Sequence, residues 1–184
     1  MKTSNIKEIN GLVVLEPRVH EDDRGFFLES YNEEQFNEII GQNVNFVQDN
    51  QSKSNEGVLR GLHYQAPPFD QGKLIRVLNG EIYDIVLDLR KKSDSFGKWF
   101  GIHLTSENFK QLWIPAGFAH GFNTLSHTAV VAYKTSNYYS KSHERCIIWN
   151  DSTLSIDWKV RKGPYLSDKD QLGVKFKDAE YFNF

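Results

Sequence analysis

The sequence predicts an all-β fold, a double-sheet jelly roll with a few short helices at its periphery. Three observations lead there. Short runs rich in β-branched and aromatic residues recur from Leu12 to Tyr133, each broken by glycine, proline or asparagine. Before the C-terminal third, a single stretch carries helical spacing. No internal repeat, low-complexity tract or linker divides the 184 residues, so one domain spanning 1–184 is expected.

Taken in order, Leu12–Glu16 reads as a first strand that Pro17 stops, and Glu21–Gly25 as a turn into a second strand, Gly25–Tyr31. Asn32 with Gln35 three residues on has the form of a capping box, opening a helix whose Phe36, Ile39 and Ile40 share one face and which Gly41 ends. Val44–Asn50 then precedes Val58–Gln65, and Pro67-Pro68 makes a loop. Gly72–Leu78 and Glu81–Leu89 are strands joined by Asn79-Gly80, the strongest two-residue hairpin signal in the chain. Short strands follow at Trp99–Leu104, Gln111–Ile114 and Ala129–Tyr133.

Composition excludes several classes of function. Hydrophobic content of 39%, with 14% aromatic, supplies a sizeable core. A net charge of −2 without a basic stripe or tail argues against duplex nucleic acid as a partner. No run approaches the roughly 18 apolar residues of a membrane span, and Met1–Glu8 has a cation but no apolar stretch of a secretory signal. Cys146 is the single cysteine, so neither an intrachain disulfide nor a cysteine-based zinc cluster is available. A cytoplasmic protein is expected.

Two segments carry candidate chemistry. In Gly57–Gln65, Arg60 and His63 sit among strand-forming residues, and both are costly to bury without partners. Strict alternation places them on opposite faces of a strand, whereas a bulge at Gly61 turns both toward one cavity. The second segment, Trp113–Phe122, again delivers a histidine, His120, within an apolar, glycine-punctuated run.

Pro115, Gly117 and His120, spaced Pro-x-Gly-x-x-His, resemble the second motif of the cupin superfamily, whose members are double-stranded β-helix (jelly-roll) barrels. Many cupins bind a metal through a His-x-His pair, a glutamate and a later histidine. Here His63-Tyr64-Gln65 lacks the second histidine, and two imidazoles alone undersupply a divalent ion. No metal is expected. Without one, a barrel histidine is free for acid–base work near neutral pH.

A closer resemblance covers nearly the whole chain. Gln48-Asp49-Asn50, Arg60–Gln65, Gln71-Gly72-Lys73, Ile114-Pro115, Gly117–Phe122, Tyr133-Lys134, Tyr138-Tyr139, Trp149-Asn150-Asp151, Leu166-Ser167 and Lys169-Asp170 are similar, in order, to the dTDP-4-dehydrorhamnose 3,5-epimerase family. The resemblance implies a cofactor-independent isomerase that inverts C3 and C5 of dTDP-4-dehydro-6-deoxy-D-glucose in dTDP-L-rhamnose biosynthesis. Both hydrogens flank the C4 ketone, so removing either leaves a resonance-stabilised enolate. By similarity His63 is the base, Asp170 holds its other ring nitrogen, Lys73 stabilises the enolate oxygen, and Tyr133 is the acid on the opposite face. Taken without the family, Lys73 is a solvent-facing strand lysine and Tyr133 a core ring.

The same resemblance gives Arg60 and His120 to the sugar and diphosphate, and Arg24, Glu29, Gln48, Asp49, Asn50, Glu144 and Lys169 to the nucleotide, with Tyr139 stacking on the pyrimidine. Taken alone, Arg24 is a surface ion-pair partner and Tyr138-Tyr139 an exposed strand end. A homodimer exchanging N-terminal strands is implied, with some contacts supplied by the neighbouring subunit. Asn137 stands where the family pattern more often has aspartate, and His127-Thr128-Ala129 replaces a more acidic approach to the tyrosine strand. These departures leave open a relative that inverts one centre or takes another nucleotide sugar. Another cupin enzyme, such as a ketoisomerase or oxygenase, and a non-catalytic sugar-binding barrel are the other readings.

Overall fold

A computed structural model of the chain describes residues 1–161 and 163–184. Thirteen strands and two short α-helices are assigned within them. One sheet has six strands in the order β1 (Lys2–Asn5), β2 (Val13–Glu16), β10 (Gln111–Ile114), β7 (Lys73–Asn79), β12 (Thr128–Thr135) and β5 (Gln48–Asn55). The other has five: β13 (Glu144–Cys146), β6 (Leu59–Gln65), β11 (Phe118–Thr124), β8 (Glu81–Asp88) and β9 (Trp99–Thr105). All recorded strand pairs are antiparallel. Strands β3 (Val19–Asp22) and β4 (Gly25–Leu28) form a separate exposed ribbon.

The inner faces pack on each other through Ile75, Val77, Ala129 and Val131 from the six-stranded sheet and Ile82, Val86, Leu104 and Phe122 from the five-stranded one. Burial of such side chains drives the closure, at about 25 cal/mol per Å² of apolar surface. The outer face of the five-stranded sheet is covered by the C-terminal segment, with Leu154, Trp158 and Phe182 on Leu59, Leu62 and Leu87. This two-sided cover explains why β8 is buried at nearly every position and shows no alternation. Helix α1 (Glu33–Ile40) covers the six-stranded sheet from outside, with Phe36 on Leu15, Leu74 and Trp113. Asn32 caps it by accepting from the Gln35 N–H at 3.1 Å, and Gly41 ends it in the left-handed region, both as the sequence predicts.

Three expectations change. Asn79-Gly80 makes a turn, but β7 and β8 do not pair. The chain crosses there from one sheet to the other, and the two strands pair instead with β10 and β12, and with β9 and β11. A turn signal reports local backbone geometry, whereas pairing is decided by which faces must be buried. The strand expected at Val44–Asn50 lies later, at Gln48–Asn55, a polar sequence whose alternate residues meet the barrel's cavity rather than its core. The second strand ends at Leu28 rather than Tyr31, whose ring instead packs on Phe36 and Phe46.

Candidate active site

Between the sheets lies a cavity of about 470 Å³. Its walls come from both sheets: Arg60, His63 and His120 from β6 and β11, and Lys73, Tyr133 and alternate residues of β5 from the facing side. Arg60 and His63 reach one cavity because β6 is bulged. His63 pairs with His120 and Arg60 with Phe122, so Gly61 and Leu62 together oppose Gly121 alone. Only glycine fits: Gly61 has φ +118°, and a Cβ there would lie 2.5 Å from Gly121 Cα.

His63 Nε2 lies 2.7 Å from Asp170 Oδ1. Asp170 sits in α2 (Asp168–Gln171), whose capping box ties its other oxygen to Ser167, and it also accepts from the Gly61 N–H at 3.0 Å. Burial opposes the charge on Asp170, but the bonds from His63, Ser167 and Gly61 outweigh it and hold the carboxyl at about 2. An ionised carboxylate only accepts, so the His63 proton resides on Nε2 and the lone pair on Nδ1. Nδ1 has no hydrogen-bond partner among the described residues. In the neutral ring, Asp170 thus fixes the tautomer that leaves Nδ1 able to accept a proton.

A second pair was not read from the sequence. His120 Nε2 lies 2.7 Å from Oδ2 of Asp84, a fully buried carboxylate on β8. Burial raises Asp84 despite His120 and Lys73 nearby, and its Oδ1 has no hydrogen-bond partner among the described residues. A lone carboxylate within Ile82-Tyr83-Asp84-Ile85-Val86 was the available signal, the same buried-charge argument that marked Arg60 and His63. Burial pushes the Lys73 ammonium down to about 8, with Asp84 and Glu144 opposing. Burial also raises Tyr133, keeping its hydroxyl protonated.

The cupin metal set does not fit these residues. Gln65, in the place of the second histidine, donates to Phe69 O at 2.6 Å and Tyr138 O at 3.0 Å and accepts from Ser140 N. Its amide is committed to pinning the loop that carries Tyr139.

At the mouth, Tyr139 is half exposed, with its hydroxyl 2.9 Å from Glu144, and Lys169 bonds the same carboxylate at 2.7 Å. These side chains line the cavity together with Gln48 and Asn50. The sequence pattern of the dTDP-4-dehydrorhamnose 3,5-epimerase family matches residues 6–178. The chain belongs to that family. It is 55% identical to a dTDP-4-dehydrorhamnose 3,5-epimerase of Shigella flexneri over 95% of this chain and 96% of the relative. It superposes on a Legionella pneumophila epimerase, solved in complex with dTDP-4-keto-L-rhamnose, with a TM-score of 0.96 and 42% identity over 100% of this chain and 98% of that one. A 3'-monoepimerase of Streptomyces bikiniensis, in complex with dTDP-quinovose, is similar at 31% identity and a TM-score of 0.87, covering 92% and 85%. The protein is thus an isomerase, a cupin-type epimerase.

Three residues carried over from the family lie outside this epimerase's cavity within one chain. Asp49 points to the other face of β5, against Lys134 at 3.0 Å, while Gln48 and Asn50 point in. Arg24 is fully exposed on the β3–β4 ribbon and pairs with Asp22, and Glu29 is exposed just beyond it. Among the described residues, no helix is long and apolar enough to cross a membrane.

Proposed function

We propose that the cavity inverts C3 and C5 of dTDP-4-dehydro-6-deoxy-D-glucose, giving dTDP-4-dehydro-L-rhamnose. His63 Nδ1 removes the proton next to the C4 ketone, and the charged Asp170 stabilises the imidazolium that forms. Lys73 places its ammonium against the developing enolate oxygen, where restricted water access strengthens the interaction. Tyr133 returns a proton from the other side. The observation that carries this reading is that His63 and Tyr133 enter one cavity from facing sheets, so a sugar ring between them presents opposite faces to base and acid.

Arg60 and His120 take the sugar and diphosphate, and Gln48, Asn50, Glu144 and Lys169 the nucleotide, with the open face of Tyr139 on the pyrimidine. Residues 1–184 act as one catalytic domain within a cytoplasmic homodimer, in which the partner's β3–β4 ribbon brings Arg24 and Glu29 to the rim. The exposed Phe26 and Phe27 on that ribbon, 60% and 70% accessible, support such packing. Light scattering of wild type and Phe27→Glu tests the dimer; an unchanged mass would sink it.

Solvent deuterium tests the two-sided chemistry. Wild type should place deuterium at both C3 and C5, or at one centre if it inverts only one. Tyr133→Phe keeps the ring and removes the hydroxyl, so the fold should survive. Exchange through His63 should persist while inversion falls about 10²–10⁴-fold. Wild-type inversion by Tyr133→Phe would show that another group is the acid. Against the same sugar on UDP, CDP or GDP, dTDP should be preferred, and a purine preference would overturn the nucleotide assignment.

A further inference from the structure

Beside the His63–Asp170 pair lies a third group that the proposed reaction does not use. Cys146 on β13 is the register partner of His63 on β6. The adjacent residues Leu62 and Ile147 exchange both backbone hydrogen bonds, at 3.2 and 2.9 Å. The His63–Cys146 pair is therefore of the closer, non-hydrogen-bonded kind, with Cα atoms about 4.5 Å apart and side chains on one face. Asp170 arrives from α2, held by the Ser167 capping box. One nitrogen, one sulfur and one oxygen ligand atom thus lie within 4.8 Å of one another. Among the described residues, the hydrogen-bond contact of Cys146 Sγ is a long one to the Ile147 carbonyl, at 3.6 Å.

We propose that His63, Cys146 and Asp170 form an inhibitory site for a thiophilic divalent cation, Zn²⁺ above all. Imidazole, thiolate and carboxylate are all zinc ligands, and three protein donors leave a fourth position for water from the cavity. Zinc bond lengths of about 2.0–2.3 Å imply ligand atoms roughly 3.3–3.8 Å apart. Side-chain movement of about 1 Å brings the sulfur in, and the His63–Asp170 contact opens by a little over half an ångström. On binding, the thiol proton leaves to solvent and sulfur ligates as thiolate. Ligation through Nε2, the nitrogen that faces Asp170, displaces its proton, and the neutral ring then carries that proton on Nδ1. His63 can then no longer accept a proton from substrate. The site differs from the cupin ligand set, because Cys146 and Asp170 replace the missing histidine at Gln65.

The inhibition rests on His63 being the base, so binding and turnover are read separately. Chelator-treated, tag-free protein is titrated with Co²⁺, and a sulfur-to-cobalt charge-transfer band should appear in wild type and be absent in Cys146→Ser and Cys146→Ala. Turnover is then followed at buffered free Zn²⁺. Zn²⁺ should inhibit wild type, and added chelator should restore its metal-free rate. Cys146→Ser should keep its metal-free rate and need roughly tenfold or more Zn²⁺ for half-inhibition, while Mg²⁺, which prefers oxygen ligands, should not inhibit either protein. Absence of the cobalt band in wild type, or equal zinc sensitivity of wild type and both cysteine variants, would overturn the site. A band without inhibition would keep the site and refute its inhibitory role.

Discussion

The two histidine–carboxylate pairs of the cavity have the same bond length, 2.7 Å, and both carboxylates are buried, yet they carry their charge differently. Asp170 accepts from His63, Gly61 and Ser167 and is held at about 2. Among the described residues Asp84 accepts from His120 alone, with Oδ1 unpartnered, and it is raised by burial. Burial pushes both toward the neutral acid; at Asp170 the donors outweigh it, whereas at Asp84 the net shift stays upward despite His120 and Lys73. An Asp170 carboxyl held at about 2 can support an imidazolium, which suits His63 to proton abstraction. Asp84 holds His120 in place without the same capacity to stabilise charge, which suits a hydrogen-bond donor.

Removing both imidazoles in turn tests that difference most strongly. His63→Ala should abolish measurable epimerisation, a loss of at least the roughly 10²–10⁴-fold that a positioned base supplies, whereas His120→Ala should act more on KM. Comparable losses of kcat in the two variants would erase the distinction. Next in size, Asp170→Asn should lower kcat by more than Asp84→Asn, because an amide at Asp170 can favour the wrong tautomer and carries no charge for the imidazolium. The reverse order would move the base to His120. A smaller effect belongs to pH. Lys73 has its ammonium below about 8, so kcat/KM should fall as pH rises through that value. The fall should approach tenfold per pH unit if the charge is essential, and Lys73→Arg should shift this limb upward. A profile flat from pH 7 to 10 would remove Lys73 from enolate stabilisation. Exhaustive chelation should change nothing, since Gln65 is committed to backbone partners. A loss restored by zinc, iron or manganese would mean that a metal joins the two histidines.

The bulge that turns Arg60 and His63 into one cavity was legible because Gly61 lies between two polar residues in an apolar strand, and its left-handed φ now explains why. Strand β1, Lys2-Thr3-Ser4-Asn5, was not legible, because all four residues are exposed and none carries an apolar alternation. Strand β5 escaped for a related reason, since its inward residues face the cavity and are polar. Asp84 carries a legible signal, a lone carboxylate within an apolar strand, but its partner His120 is 36 positions away. Arg24 and Glu29, which the family resemblance gives to the nucleotide, lie within one chain on and just beyond an exposed ribbon away from the cavity.

By itself the sequence determined the all-β class, the capped helix α1, the glycine-marked bulge and, through a long ordered set of motifs, the epimerase family. These are local or linear properties, set by residue size, backbone freedom and spacing. Only the tertiary structure decided that Asn79-Gly80 joins two sheets, that Asp170 meets His63 across 107 positions, and that Asp84 and Cys146 stand beside the histidines. Sheet pairing and burial make those contacts, and they depend on which distant strands share a core, a quantity no local run of residues records.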